Sequence, residues 1–251
     1  VDEGSQTEED YKVLLKILSQ SNFDRLGFEK QEGESDEDEM VRQLIVGNMI
    51  KAEDETAKAQ ASQIFDRYRD NLEKLPAAIR LQVLVNQIKH HESKELTKLY
   101  LDLYVASNDG SFKNALSTAL SYTKNMETLD ELLATWKDKF TVKPQDLSAW
   151  YARFLSRDFT QEAVWTWARE NWDWIKAALG GDMSFDSFVI SPAVVFKTEE
   201  RLAEYKAFFE PQLDDMAISR NISMGIKEIA ARVELVKREK EAVEKAIRAA
   251  I

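Results

Sequence analysis

The sequence predicts an all-α fold, an irregular α-α superhelix of the HEAT or armadillo type with roughly a dozen antiparallel helices. Apolar residues recur at three- and four-residue spacing almost throughout, and the alternation typical of strands is missing. Only 8 glycines and 4 prolines interrupt the 251 residues. The connections should therefore be short, which places consecutive helices antiparallel to each other. The apolar fraction of 44% and the charged fraction of 31% are typical of a globular protein.

Five segments of helical spacing precede the turn at Asn108-Asp109-Gly110. They cover residues 8–19, 35–51, 54–75, a segment opened by Pro76, and 92–107. A proline is well placed as the first residue of a helix, because its missing N–H has no partner there. The first segment should present one apolar stripe, and the second should bury four apolar side chains. The stripe comprises Tyr11, Leu14, Leu15 and Leu18, and the second set comprises Met40, Leu44, Ile45 and Met49.

Seven further segments follow. They cover residues 111–122, 126–140, 144–155, 160–179, 184–190 and 199–209, and a long amphipathic helix from about residue 219 onward. The pair Gly180-Gly181 should end the fourth of them. The segments at 76–104 and 111–137 resemble each other at an offset of 33–35 residues. Such an offset is typical of stacked helix pairs, although the signatures of tetratricopeptide and ankyrin repeats are absent. The whole chain, 1–251, is therefore expected to form a single helical domain.

Charge and composition exclude several classes of function. The net charge is −11, and residues 1–40 alone contribute 13 acidic and 4 basic residues. This balance is the opposite of a phosphate-binding surface, so no nucleic-acid partner is expected. The acidic run 32–39 is interpreted as a solvated loop and helix start, with a partner-binding role as the alternative. No run of 18 apolar residues predicts a membrane helix. The absence of cysteine excludes disulfides and thiolate metal sites, and it fits a reducing, cytoplasmic compartment.

No catalytic constellation is evident in the sequence. The two histidines, His90 and His91, are adjacent and point in different directions on a helix, so they cannot form the H-E-x-x-H zinc site. No nucleophile motif and no glycine-rich phosphate loop is present. The acidic pairs Asp214-Asp215 and Glu199-Glu200 are interpreted as surface or helix-start charge. We expect no catalytic residue, no metal ligand and no cofactor in this chain.

Four tryptophans lie within ten residues, at positions 165, 167, 172 and 174. Trp165, Ala168, Trp172 and Ile175 share one helical stripe, while Trp167 and Trp174 share a second with Asn171. A helix with two aromatic faces suits a position between neighbours in a core. A stacking platform for a ligand is the alternative.

The last helix is expected to carry its apolar residues on one buried stripe and charges of alternating sign on the outer face. The stripe comprises Ile222, Ile226, Ile229, Val233, Val236, Val243 and Ile247. Arg220 lies at the start of this helix, where the dipole disfavours a cation. It is either an ordinary surface arginine or one directed at a carboxylate.

Three stretches together resemble a known family. They are Leu75-Pro76-Ala77-Ala78-Ile79-Arg80 with the later Ala115-Leu116 and Ala119-Leu120 pairs, the tryptophan segment 163–175, and the arginine-led helix 220–243. In order and spacing they resemble the C-terminal helical domain of zinc aminopeptidases of the aminopeptidase N type. Arg232 and Leu235 stand where many of those relatives have asparagine and tryptophan.

The resemblance implies a parent enzyme that removes N-terminal residues from peptides, with its zinc in a separate catalytic domain. In that family the helical domain forms a bowl over the active site and controls access. The parent's catalytic and β domains and its peptide substrates would then be the partners. Arg220 matches an arginine that lines the catalytic cavity in several members, so it is the one substrate-binding residue expected here. The start at Val1 fits a piece of a longer protein, and a free-standing helical-repeat interaction module is the alternative.

Overall fold

A computed structural model of the chain describes residues 3–181 and 184–251. Within these ranges it contains thirteen α-helices, two short 3-10 turns and no strand, and the all-α prediction is confirmed. The first two residues, on which the expectation of a longer protein rests, lie outside the described ranges. The helices are α1 (Gln6–Leu26), α2 (Asp36–Lys51), α3 (Glu55–Tyr68), α4 (Ala77–His91), α5 (Lys94–Ala106), α6 (Gly110–Leu120), α7 (Met126–Thr135), α8 (Pro144–Leu155), α9 (Asp158–Glu170), α10 (Trp172–Leu179), α11 (Ser187–Val195), α12 (Glu199–Phe209) and α13 (Ser219–Ala249).

The helices form two compact units, one comprising the residues up to Tyr122 with Ala242–Ile251, the other comprising Thr123–Glu241. In the first unit, α2, α4 and α6 stack in chain order, and α1, α3 and α5 each pack against the helix that follows. The helices α2, α4 and α6 thus form one layer and α1, α3 and α5 a second, which is the arrangement of an α-α superhelix. The starts of α4 and α6 are 33 residues apart, as the internal resemblance predicted.

Side-chain caps set several helix starts. Ser35 and Asp38 form a reciprocal capping box at α2, and Asp54 Oδ1 accepts from Ala57 N at 2.9 Å at the start of α3. Each cap satisfies backbone donors that a helix leaves open. The acidic run 32–39 therefore forms a loop and a first helical turn, as interpreted.

Two buried arginines join separate elements of the first unit. Arg42, 1% exposed, donates to Leu26 O at 3.3 Å and pairs with Glu34. Arg80, from the proline-led motif, donates to Leu75 O at 3.1 Å and to Asp109 Oδ2 at 3.1 Å. Each guanidinium binds backbone and carboxylate oxygens of other elements in the directions that its planar fork favours.

The end of the chain packs on its first helix. Arg248 Nε donates to Asp10 Oδ2 at 3.1 Å, and Gln6 Nε2 donates to Asp10 Oδ1 at 2.8 Å. Ile247 beside them is buried. The last turns of α13 are thus part of the first unit.

In the second unit, α8 packs against α9 and α11, while α7 and α10 pack against α9. Asn125 Oδ1 caps α7 by accepting from Thr128 N at 3.1 Å, and Thr198 Oγ1 caps α12 by accepting from Arg201 N at 3.2 Å. Pro144 is the first residue of α8, as its chemistry favours.

Some helix bounds differ from the sequence prediction. The expected segment 54–75 is divided into α3 and a 3-10 turn at Leu72–Lys74, and segment 160–179 is divided into α9 and α10. The segment expected at 126–140 ends at Thr135, whose Oγ1 donates back to Leu132 O at 2.7 Å. The segment expected at 184–190 is the helix Ser187–Val195. Gly180 does cap α10.

Three burial predictions are wrong, since Met40, Leu44 and Val243 are 69%, 63% and 49% exposed. Leu18, on the predicted stripe of the first segment, is 67% exposed. Ile45 and Met49 are buried as expected. Periodicity shows which residues share a helix face, but it does not show whether that face has a neighbour.

Candidate functional site

Arg220 lies in the first turn of α13, where the sequence placed it. Asp215 supports the turn that leads into the helix, since its carbonyl accepts from Ser219 N at 2.9 Å and its Oδ1 from Ala217 N at 3.0 Å. The Arg220 side chain is exposed. Across residues 3–181 and 184–251, its guanidinium has neither a hydrogen bond nor an ion pair. The positive end of the helix dipole also makes this a poor place for a cation without a partner.

Met224 follows Arg220 by one turn of α13 and is 47% exposed, and Met216, in the turn before the helix, is 93% exposed. A planar guanidinium can bind a carboxylate, and exposed methionines can contact apolar groups of a ligand. These side chains could bind a ligand, but none of them is suited to transfer a proton.

The backbone behind Arg220 is held tightly. A Cβ on Gly225 would meet Tyr205 Cζ at 2.8 Å and Ala193 Cβ at 3.0 Å, so only glycine lets α13 approach α11 and α12 this closely. Tyr205 Oη donates to Val189 O at 3.1 Å, and burial raises the pKa of this hydroxyl. The first turns of α13 are therefore fixed against two other helices.

Arg232 holds the end of α11. Its Nη1 donates to Ala193 O at 2.6 Å and to Phe196 O at 3.0 Å. These carbonyls lie in the last turn of α11 and at its cap, where a cation is favoured. Sequence reasoning noted Arg232 only as a departure from the family pattern. Its partners lie 36–39 residues away, so no local signal could identify them.

The tryptophan segment forms core, as interpreted. Trp165, Ala168, Trp172 and Ile175 are all at most 6% exposed, while Trp167 and Trp174 are half-buried. Trp165 Nε1 donates to Glu204 Oε2 at 3.0 Å, and Trp172 Nε1 donates to Gln212. Arg201 pairs with Glu204 at 2.7 Å and with Glu162, and its hydrogen bond lowers the pKa of Glu162. The rings and donors of Trp165 and Trp172 are therefore engaged within the core, which supports the core interpretation for this stripe.

The two histidines do not come together in a way that fits a zinc site. His90 Nε2 lies 3.2 Å from Glu53 Oε2, and His91 Nε2 lies 3.2 Å from Ser62 Oγ, so the rings point to different neighbours. Burial lowers the pKa of His90. No group of three or more potential ligands is found among the described residues.

The two acidic pairs are helix-start or surface charges. Glu199 and Glu200 lie in the first turn of α12, while Asp214 and Asp215 are exposed in the turn that precedes α13. The Glu199 carboxylate is paired with Lys237, which lowers its pKa. Among the described residues no helix is long and apolar enough to cross a membrane.

Comparison with protein families gives a match over residues 2–231 to the ERAP1-like C-terminal domain. The chain belongs to the ERAP1-like C-terminal domain family. The resemblance found in the proline-led motif, the tryptophan segment and the arginine-led helix is thereby confirmed.

Relatives of this domain carry aminopeptidase names. Over 248 residues the chain is 54% identical to Aminopeptidase N of Lactococcus lactis subsp. lactis, covering 99% of this chain and 29% of the relative. It is 39% identical to Aminopeptidase N of Lactobacillus helveticus, over 100% of this chain and 30% of the relative. Glutamyl aminopeptidase of Mus musculus is 25% identical over 68% of this chain and 18% of its own length. The chain thus spans less than a third of the length of the relatives it matches.

Proposed function

We propose that this domain belongs to a zinc-dependent aminopeptidase that removes N-terminal residues from peptides, and that it encloses the active site and limits substrate access. Membership of the family and the aminopeptidase names of the relatives support this proposal. The zinc and its ligands would lie in the parent's catalytic domain. The expected partners of this domain are that catalytic domain, the parent's β domains and the peptide substrates. A cytoplasmic location stays a prediction.

We further propose that Arg220 lines the parent's catalytic cavity and binds substrate. The observation that carries this proposal is an exposed arginine that has no partner among the described residues and is held at a helix N-terminus by the packing around Gly225. A guanidinium in this state is available to a carboxylate at little cost in broken contacts.

Arg220→Ala in the full-length parent should lower kcat/KM for peptides by roughly tenfold, the loss expected for about one charge-assisted hydrogen bond. Arg220→Lys should recover only part of the rate, because an ammonium lacks the planar fork. Steady-state kinetics with peptides of several lengths give the measurement.

Arg238→Ala is the matched control, since Arg238 is an exposed arginine on the same helix and already pairs with Glu239 at 2.6 Å. It should leave the kinetics unchanged. Arg220→Ala should also leave the unfolding midpoint unchanged, because a surface side chain without contacts contributes little to stability. Equal kinetics for Arg220→Ala and Arg238→Ala would refute the role of Arg220.

The 251-residue chain alone should bind no zinc stoichiometrically and release no amino acid from aminoacyl reporter substrates. The physical reason is that its two histidines contact separate partners and cannot jointly hold a metal. Equilibrium dialysis with zinc and a chromogenic assay measure the two properties. Zinc-dependent cleavage by the pure chain would contradict the assignment of catalysis to another domain.

A further inference from the structure

Two contacts from α13 meet on one residue of α11. A Cβ on Gly225 would lie 3.0 Å from Ala193 Cβ, and Arg232 Nη1 donates to Ala193 O at 2.6 Å. The same Nη1 donates to Phe196 O at 3.0 Å. Carbonyls at the end of a helix lack N–H partners within that helix, so a side-chain donor stabilises them. Gly225 and Arg232 are about two turns apart, and they therefore lie on the same side of α13.

Arg220 extends from the other side of the helix. The buried side of α13 in this stretch comprises Ile222, Gly225, Ile229 and Val233. Ile229 follows Arg220 by about two and a half turns, so the two side chains leave the helix in opposite directions. The direction in which the Arg220 guanidinium extends is therefore set by the rotation of α13 about its own axis.

Apolar burial alone constrains this rotation weakly. Gly225 has no side chain, and the burial of isoleucine and valine is non-directional. A hydrogen bond has a preferred direction, and Arg232 makes two of them to the end of α11. Lys237 joins α13 to Glu199 of α12, but these side chains are 53% and 72% exposed, and ion pairs of this kind contribute little. Arg232 therefore supplies the main directional constraint described for this stretch of α13.

We propose that Arg232 is a positioning residue for Arg220, because it holds the rotation of α13 against the end of α11 and so keeps the Arg220 guanidinium directed at the substrate. The inference rests on the proposed role of Arg220. A group about 5 Å from the helix axis moves by about 2 Å when the helix rotates by about 20°. A displacement of about 1 Å at a group that orients the substrate can cost up to about 100-fold in rate.

Steady-state kinetics with peptides in the full-length parent test the coupling between the two arginines. Arg232→Met removes the donor and keeps an unbranched side chain, and it should lower kcat/KM by about fivefold. In a parent that already carries Arg220→Ala, the same substitution should leave kcat/KM unchanged, because no guanidinium remains to be positioned. Arg232→Lys keeps a donor at the end of α11 and should recover part of the rate. Lys237→Met, which breaks the exposed ion pair to Glu199, is the matched control and should have no kinetic effect.

A distance measurement keeps the test independent of peptidase activity. This chain has no cysteine, so Arg220→Cys and Ala203→Cys place the only two nitroxide labels, at exposed positions on α13 and α12. Electron spin resonance then gives the distance between the labels. Arg232→Met should shift or broaden this distance by about 2 Å, while Lys237→Met should not. Thermal unfolding of each variant shows that folded proteins are compared.

Two results would overturn the positioning role. One is an equal loss of kcat/KM from Arg232→Met with and without Arg220→Ala, because Arg232 would then act on the fold in general. The other is a label distance that Arg232→Met leaves unchanged. Arg220→Ala without a kinetic effect would instead refute the proposed substrate role of Arg220, and the label distance would still decide whether Arg232 holds the rotation of α13.

Discussion

Trp165→Ala should lower the free energy of unfolding by about 3–5 kcal/mol, the range for removing a fully buried aromatic side chain. Trp165 is 0% exposed, and its ring centroid lies 5.3 Å from that of Phe196 and 5.6 Å from that of Phe208. The substitution leaves a cavity at the centre of the second unit and removes the donor to Glu204. Urea denaturation followed by circular dichroism measures the loss.

Trp174→Ala is the matched control on the same segment. Trp174 is half-buried and lies 6.2 Å from Trp167 and under Lys137, so its removal should cost only about 1 kcal/mol. Trp165→Phe should lower the free energy of unfolding by an intermediate amount, because an apolar ring remains while the N–H donor is lost. Similar losses for Trp165→Ala and Trp174→Ala would show that the core is not centred on Trp165.

Gly225→Ala should destabilise the domain by about 1–3 kcal/mol, although alanine is the better helix former by up to about 1 kcal/mol. The added Cβ would press on Tyr205 Cζ and Ala193 Cβ at 2.8 and 3.0 Å. Moving Tyr205 away would break its hydrogen bond to Val189 O. The unfolding midpoint and the slope of the urea transition measure the effect.

Gly47→Ala is the control with the opposite expected sign. Its Cβ would meet only Gln82 Nε2, at 3.5 Å, the end of a flexible side chain. The interior of α2 should therefore gain about 0.5–1 kcal/mol. Tyr205→Phe combined with Gly225→Ala should recover part of the loss, since the closest clash is with the hydroxyl. A stabilising Gly225→Ala would refute the close approach of α13 to α12.

Helix spacing predicts the fold class and the core stripe of the tryptophan segment, because both depend on local pattern. It does not predict the break at Asn171, whose N–H donates to Trp167 O at 3.0 Å and whose Nδ2 donates to the same oxygen at 2.7 Å. The side-chain amide of Asn171 competes with backbone N–H groups for a helix carbonyl and so ends α9. The spacing of apolar residues contains no signal for this competition. The same competition by Thr135 shortens α7.

Parts of the candidate site also lie beyond sequence reasoning. The position of Arg220 at a helix start follows from local pattern, and the structure agrees. The function of Arg232 and the need for glycine at Gly225 depend on α11 and α12, which are distant in the chain. Such contacts are set by tertiary packing and have no local signature.

The contact between Arg248 and Asp10 joins residues that are 238 positions apart. Synthesis proceeds from the N-terminus, so α1 leaves the ribosome long before its partner exists. Gln6 of the same helix already binds the Asp10 carboxylate, but its second partner, Arg248, is available only when the last turns of α13 emerge. The first unit therefore completes its fold only after residues 242–251 have been synthesised, and termination near residue 241 would leave α1 without its contact to Arg248.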